Sequence, residues 1–317
     1  MNTIAGNRCK PAALKPGSTL AVLSPASTPN ADAVDRGIAQ LHLLSYKTIL
    51  SPHALDKGPL YYAGKLEDRL ADLHAAFADP KVDGIVCTRG GWGSAELLPY
   101  LDASLIRANP KVFVGYSDHT SLHSWFHNEA RMVTFYGPMV AADLSREDGV
   151  DLASWRHSLE GGSPWSLGRA DGLRVLRPGR AEGVLAGGCL SLVAEALGTP
   201  YASRLDHGSI LFLEDVGTKP YQWDRMLLHL RYSGLLQQVS GIVLGDMRQC
   251  VPPEEEEYLD RAVLHALRDF AGPIAIGLRC GHVAAANITL PLGVSAALDL
   301  TDAENPRVYL LEAAVKV

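Results

Sequence analysis

Apolar positions in the first half of the chain switch between two periods. Thr19–Leu23 is a short continuous apolar run ending at Ser24-Pro25, the pattern of a strand buried on both faces of a parallel sheet. Val34, Ile38 and Leu41 then recur at helical spacing, and Lys47–Leu50 returns to a strand. Leu66, Leu70, Leu73 and Phe77 draw one apolar stripe along a second helix, which Asp79-Pro80 stops. Val82–Cys87 and Lys111–Val114 predict two more strands, followed by helical Ser94–Tyr100 and Thr120–His127. Strands alternating with helices predict right-handed crossovers on a parallel sheet. Such sheets gather ligands beyond the carboxyl ends of their strands. The loops of interest are therefore Ser24–Ser27, Thr88–Ser94 and Tyr116–His119.

That rhythm breaks after Ala142. Residues 161–180 are rich in Gly, Pro and Arg with no sustained period, and read as a linker. Beyond them, strands are predicted at Gly183–Ala186, Ser209–Leu213 and Ile242–Leu244. Helices are predicted near Ser191–Leu197, Tyr221–Leu230 and Glu254–Phe270, before a strand-prone end at Asn287–Val317. The expected organisation is an α/β domain on a doubly wound parallel sheet over residues 1–160, the linker, and a smaller mixed α/β domain over 181–317. The acidic run Glu254–Glu257 suits the positive end of the helix it opens.

Composition narrows the function classes. With 47% hydrophobic and 20% charged residues among 317, the chain can bury sizeable cores and is not a disordered polymer. A net charge of −6 supplies no basic field, so neither nucleic acid nor an anionic membrane is an expected partner. No apolar run approaches the roughly 18–20 residues of a membrane span, and Leu20–Leu23 is too short for a secretory signal. Five scattered cysteines without a Cys-x-x-Cys pair suit a reducing compartment and argue against a thiolate zinc site. The expectation is a soluble cytoplasmic protein, with monomer or homodimer left open.

The strongest chemical signal runs from Lys111 to Thr120. An apolar strand meets Gly115, and two residues later Ser117 stands where a helix begins. A nucleophile elbow needs this arrangement, because the tight turn lifts the hydroxyl and the next amide faces a developing oxyanion. The usual second glycine is replaced by His119, and a plain helix cap is the competing reading of Ser117. The turn Thr88–Ser94, with Gly90, Gly91 and Gly93, could present a second oxyanion donor or cradle a phosphate. It follows a later strand and lacks the dinucleotide spacing. His119, His123 and His127 share a helix face, either as a metal patch or as buried hydrogen-bonded residues. His282 lies in a small-residue loop before a strand, and Glu214 ends another. Ser117…Glu214…His282 has the serine–acid–histidine order found in α/β hydrolases.

At these residues the chain resembles the LD-carboxypeptidase family of serine peptidases, which comprises muramoyltetrapeptide carboxypeptidases and microcin-immunity relatives. The matches span nearly the whole length: Ser24–Ser27, Ala76–Pro80, Gly84–Gly91, Gly115–Asp118, Gly137-Pro138, Gly187-Gly188, Leu213–Gly217 with Tyr221 and Asp224–Met226, Gly281-His282, and Leu290–Gly293. Cys189 departs from the pattern, which has Asn there. The resemblance implies a flavodoxin-like N-terminal domain donating Ser117 as nucleophile and a C-terminal domain donating His282 as base and Glu214 as its orienting carboxylate. It implies an oxyanion hole from the Asp118 amide and the Gly90-Gly91 turn, and no metal or other cofactor. The implied substrate is a murein peptide ending in D-alanine. An exopeptidase must also hold its substrate's terminal carboxylate. Arg89 is suited to that, or else ties down the glycine turn. Trp92 could serve as an aromatic platform in the immunity-type alternative, which cleaves aminoacyl-nucleotides. A non-enzymatic small-molecule binding protein is the remaining reading.

Overall fold

The computed structural model describes residues 8–162 and 164–317. In the first half, strands β1 (Thr19–Leu23), β2 (Lys47–Leu50), β3 (Gly84–Cys87), β4 (Val112–Gly115) and β5 (Thr134–Tyr136) run parallel. Their order, β5-β4-β3-β1-β2, is that of flavodoxin-like sheets. Helices α1 (Ala31–Leu43), α2 (Leu66–Ala78), α3 (Ala103–Ala108) and α4 (Thr120–Trp125) fill the crossovers. Alternate strand residues face opposite layers. Leu20, Val22 and Val86 share one core with Val34 and Leu41 of α1, whereas Leu23, Ile85 and Phe113 share another with Leu73 and Phe77 of α2. Burial on both faces explains why these strands read as unbroken apolar runs.

Two predicted helices differ in detail. Ser94–Tyr100 is a 3₁₀ helix containing Pro99, which has no N–H to donate to an α-helical ladder. The helix from Thr120 is α-helical only to Trp125, then widens into a π turn over Phe126–Ala130 and closes at Arg131 with φ +53°.

The second half contains α5 (Leu152–Leu159), β6 (Trp165–Leu167), β7 (Arg174–Arg177), β8 (Arg180–Cys189), α6 (Leu190–Glu195), β9 (Ser209–Glu214), α7 (Pro220–Tyr232), β10 (Val239–Gly245), α8 (Glu256–Ala266), β11 (Ile274–Leu278), β12 (Leu290–Leu292), β13 (Ser295–Asp299) and β14 (Arg307–Leu310). Its eight-stranded sheet has the order β6-β14-β13-β8-β9-β10-β11-β7, with β8 to β11 parallel and the outer strands antiparallel. Residues 161–180 are thus not a structureless linker. They carry β6 and β7, the two outermost strands of this sheet. Both are edge strands that pair on one side only: β6 (Trp165-Ser166-Leu167) is too short to display a period, and β7 has Arg174 and Arg177 at its two ends around Val175 and Leu176. Nor is 181–317 self-contained, because β12 pairs antiparallel with β5 of the first sheet, Leu290 opposite Tyr136.

The two sheets meet so that the carboxyl ends of β4, β5, β9 and β11 converge. Among the described residues, no helix is long and apolar enough to cross a membrane.

Strand β8 pairs with β13 through its first half and with β9 through its second, and glycines permit the change. At Gly187, φ is +132° and a Cβ would lie 1.9 Å from the Phe212 carbonyl oxygen. Gly187→Ala should therefore lower the unfolding free energy by upward of about 1–3 kcal/mol. A urea titration with an unchanged midpoint would contradict this account of the bend.

Candidate active site

Strand β4 delivers the chain into a turn at Tyr116-Ser117. Ser117 has φ +64°, a left-handed conformation that a residue with a Cβ adopts only when its surroundings impose it. Gly115 makes room beneath, since a Cβ there would lie 2.6 Å from His119 Nδ1. His119, standing where an elbow usually has its second glycine, is wholly buried under the turn and edge-on to Phe113. Asp118 lies in the first turn of the following helix, where N–H groups lack intrahelical acceptors.

The glycine turn sits directly over this elbow. A Cβ on Gly90 would be 3.0 Å from Ser117 Oγ and 3.4 Å from the Asp118 nitrogen. Ser27 secures the turn: its hydroxyl accepts the Trp92 N–H at 3.1 Å, and its own N–H donates to the Gly90 carbonyl at 3.4 Å. The buried Asp118 carboxylate accepts the Ser94 N–H at 2.8 Å, while the Asp118 carbonyl accepts the Ser94 hydroxyl at 2.7 Å. Burial pushes the Asp118 carboxyl upward in pKa, against the hydrogen bonds from Ser94 and Gly93.

Glu214, the last residue of β9, is 1% exposed. Its Oε2 accepts the His282 backbone N–H at 2.9 Å and faces His282 Nδ1 at 2.9 Å. Its Oε1 accepts the Tyr136 hydroxyl at 2.5 Å. Glycine again decides who can approach: a Cβ on Gly281 would lie 2.4 Å from Glu214 Cδ, and one on Gly245 would lie 2.5 Å from Glu214 Cβ. An ionised carboxylate only accepts, so the imidazole proton belongs on Nδ1 and Nε2 keeps its lone pair. The His282 ring stands edge-on to Tyr116, the residue before Ser117, with centroids 5.1 Å apart. Burial lowers the imidazole pKa, but the charge and hydrogen bond of Glu214, helped by Asp215 and Asp143, outweigh it and hold the value above the ordinary one.

Family profiles match both halves of the chain: residues 20–137 as the LD-carboxypeptidase N-terminal domain and residues 182–298 as the LD-carboxypeptidase C-terminal domain. The chain belongs to the LD-carboxypeptidase family. A probable murein peptide carboxypeptidase of Bacillus subtilis (strain 168) is 38% identical over 300 residues, 92% of each chain. A murein tetrapeptide carboxypeptidase of Pseudomonas aeruginosa is 33% identical over 291 residues, 88% of this chain and 92% of its own. The crystal structure of an MccF-like protein from Bacillus anthracis superposes with a TM-score of 0.87 at 26% identity, covering 95% of this chain and 99% of that one. The protein is thus a hydrolase of the serine carboxypeptidase class.

Around the elbow of this LD-carboxypeptidase, Arg89 is exposed on the rim. Its guanidinium meets the Thr28 carbonyl at 3.5 Å and makes no ion pair among the described residues. Trp92, 37% exposed, forms one wall of a cavity of about 140 Å³ that reaches Ser121 on α4 and Glu195 on α6. Cys189 is buried at the N-cap of α6, and its side chain makes no capping bond. Its N–H donates to Thr120 Oγ1 at 2.9 Å, and Asp215 caps α6 instead by accepting the Ser191 N–H at 2.9 Å.

The helix histidines are not a metal patch. His123 engages both nitrogens, with Thr134 Oγ1 and the Gly115 carbonyl, each at 2.8 Å, and His127 Nε2 lies 2.8 Å from an Arg8 nitrogen. Burial drives His119, His123 and His127 down to about 3, 4 and 3, which favours their neutral forms, and the two buried ring nitrogens of His119 have no hydrogen-bond partner among the described residues. Among the described residues, the one group with three ligand atoms within 4.8 Å is elsewhere, at His53, Asp56 and Asp68, where His53 already pairs with Asp56.

Tyr136 and Asp215 carry no signal of their own in the sequence. Tyr136 ends a three-residue strand with no readable period, and Asp215 was visible only as the neighbour of Glu214.

The fit of Gly90 over Ser117 can be measured. Gly90→Ala puts a methyl group 2.8 Å from Ser117 Cβ without demanding a left-handed backbone. The variant should lose only about 1–3 kcal/mol of stability by urea titration, while its turnover falls on the order of 10²-fold. Equal turnover in the two proteins would count against this packing.

Proposed function

We propose that this enzyme hydrolyses the bond between an L-centred residue, diaminopimelate or lysine, and a C-terminal D-alanine in murein tetrapeptides. The observation that carries the reading is the His282–Glu214 pair set against the Ser117 elbow beneath Gly90. The names of the Bacillus and Pseudomonas relatives support the substrate class.

In this reading His282 Nε2 takes the Ser117 proton as Oγ attacks the carbonyl carbon. Glu214 holds the Nδ1–H tautomer and stabilises the imidazolium that forms. The tetrahedral oxyanion is received by the Asp118 N–H and an N–H of the Gly90-Gly91 turn, the kind of fixed donor pair that acts without reorganisation. As the C–N bond breaks, His282 returns the proton to the leaving D-alanine amine. Water, deprotonated by the same imidazole, then attacks the acyl-enzyme and frees Ser117. Arg89 is suited to grip the terminal carboxylate bidentately, since its guanidinium has no anionic partner among the described residues. A cytoplasmic enzyme acting on imported wall fragments is the setting this chemistry fits.

One observation favours a second reading. Trp92 is open to solvent beside the turn, a surface on which a nucleobase could stack, and an MccF-like protein shares the fold. Aminoacyl-nucleotide conjugates are then the substrate.

Mass spectrometry of purified murein tetrapeptide should show D-alanine release by the wild type, and Ser117→Ala should lower the rate by about 10⁴-fold or more while folding normally. Indistinguishable rates would sink the mechanism, and cleavage of the nucleotide conjugate alone would favour the second reading.

The rate should also depend on pH in a defined direction. A base works unprotonated, so kcat/KM falls as pH drops through the His282 pKa. Because that pKa is raised, the midpoint of the limb should lie above the ordinary histidine value of 6.5. A midpoint below it would contradict the arrangement around Glu214.

A further inference from the structure

Tyr136 is fully buried at the end of β5, and its hydroxyl touches both halves of the site. It accepts the Ser117 backbone N–H at 3.0 Å and reaches Glu214 Oε1 at 2.5 Å. The direction of both bonds is fixed by chemistry. A backbone N–H can only donate, so the phenol oxygen accepts there, and its single proton goes to the carboxylate. The ring is held between Phe212 and His123, each with its centroid 5.6 Å away. The backbone of the same residue pairs with Leu290 of β12. One residue therefore connects the nucleophile turn, the orienting carboxylate and the strand that joins the two sheets.

Resting on the function proposed above, we infer that Tyr136 is a positioning residue for the reaction. Its hydroxyl sets the distance between the Ser117 turn and the Glu214–His282 pair, and it occupies one acceptor site on Oε1. Two consequences follow. Glu214 cannot rotate about its last bond without breaking a buried hydrogen bond, so the imidazole stays aimed. Part of the carboxylate charge is also spent on the phenol, which limits how basic His282 becomes. Burial, reinforced by the Glu214 charge, pushes the phenol pKa well above its usual value, so the group remains a proton donor at every pH where the enzyme works. Nothing in the proton transfers of the reaction requires Tyr136 to give up its proton.

Tyr136→Phe removes the hydroxyl and little else. With the tetrapeptide as substrate, kcat should fall about tenfold to a hundredfold with KM nearly unchanged. The rising limb of kcat/KM should move up by roughly half a pH unit, because the whole Glu214 charge then acts on His282. A purely structural tyrosine would instead lower the melting temperature and leave the limb where it was, and that result overturns the proposal. So does a variant kinetically identical to wild type.

Should the phenylalanine variant not fold, site-specific difluorotyrosine keeps the ring and sharpens the hydroxyl as a donor. The limb should then move to lower pH, and an unmoved limb counts against the role. Titration of the His282 imidazole by NMR reads the same shift without any substrate. A failure of the murein reading would therefore leave this inference separately decidable.

Discussion

A carboxylate buried to 1% exposure at the seam between two sheets is the constraint around which this molecule is arranged. Removing a carboxylate from water costs several kcal/mol unless hydrogen bonds replace its hydration. At Glu214 the replacements are the His282 amide, the His282 ring and the Tyr136 hydroxyl. These donors come from β5 of one sheet and the loop after β11 of the other. The carboxylate is therefore satisfied only when both halves are folded and docked. Glycines at 245 and 281 are part of the same arrangement, because any side chain at either position would occupy the space of the Glu214 side chain.

The elbow carries the opposite kind of stress. Ser117 sits at φ +64°, a conformation that its own chemistry disfavours by about 1–3 kcal/mol. The surroundings hold it from three sides: His119 fills the space below, Gly90 covers the hydroxyl, and Tyr136 takes the serine amide. Asp118 ties the elbow to the 3₁₀ helix that follows the glycine turn. The strained turn and the buried charge thus share one neighbour, Tyr136, and neither is independent of the other.

Much of this was legible beforehand. The buried strands β1, β3, β4 and β9 stood out as apolar runs, and Ser117, Glu214 and His282 each stood at the corner after such a run or before one. The stretch 161–180 reads as a linker because its two edge strands are only three and four residues long, and arginines at the ends of β7 signal solvent more loudly than structure. The histidines 119, 123 and 127 kept two readings open, since helical spacing cannot say whether a shared face looks outward or into a core. Burial decided it.

The amino-acid order alone determined the alternation of strands and helices and the glycine-bounded turns, and it placed Ser117, Glu214 and His282 at strand-to-loop corners, because these rest on local periods and on backbone freedom within a few residues. Only the tertiary structure decided that Tyr136 binds Ser117 and Glu214 together, that Asp215 caps α6, and that β12 crosses to the first sheet. Each of these joins residues 19 to 158 positions apart. Such contacts leave no local period, since what selects them is the need to satisfy buried polar groups after the sheets have met.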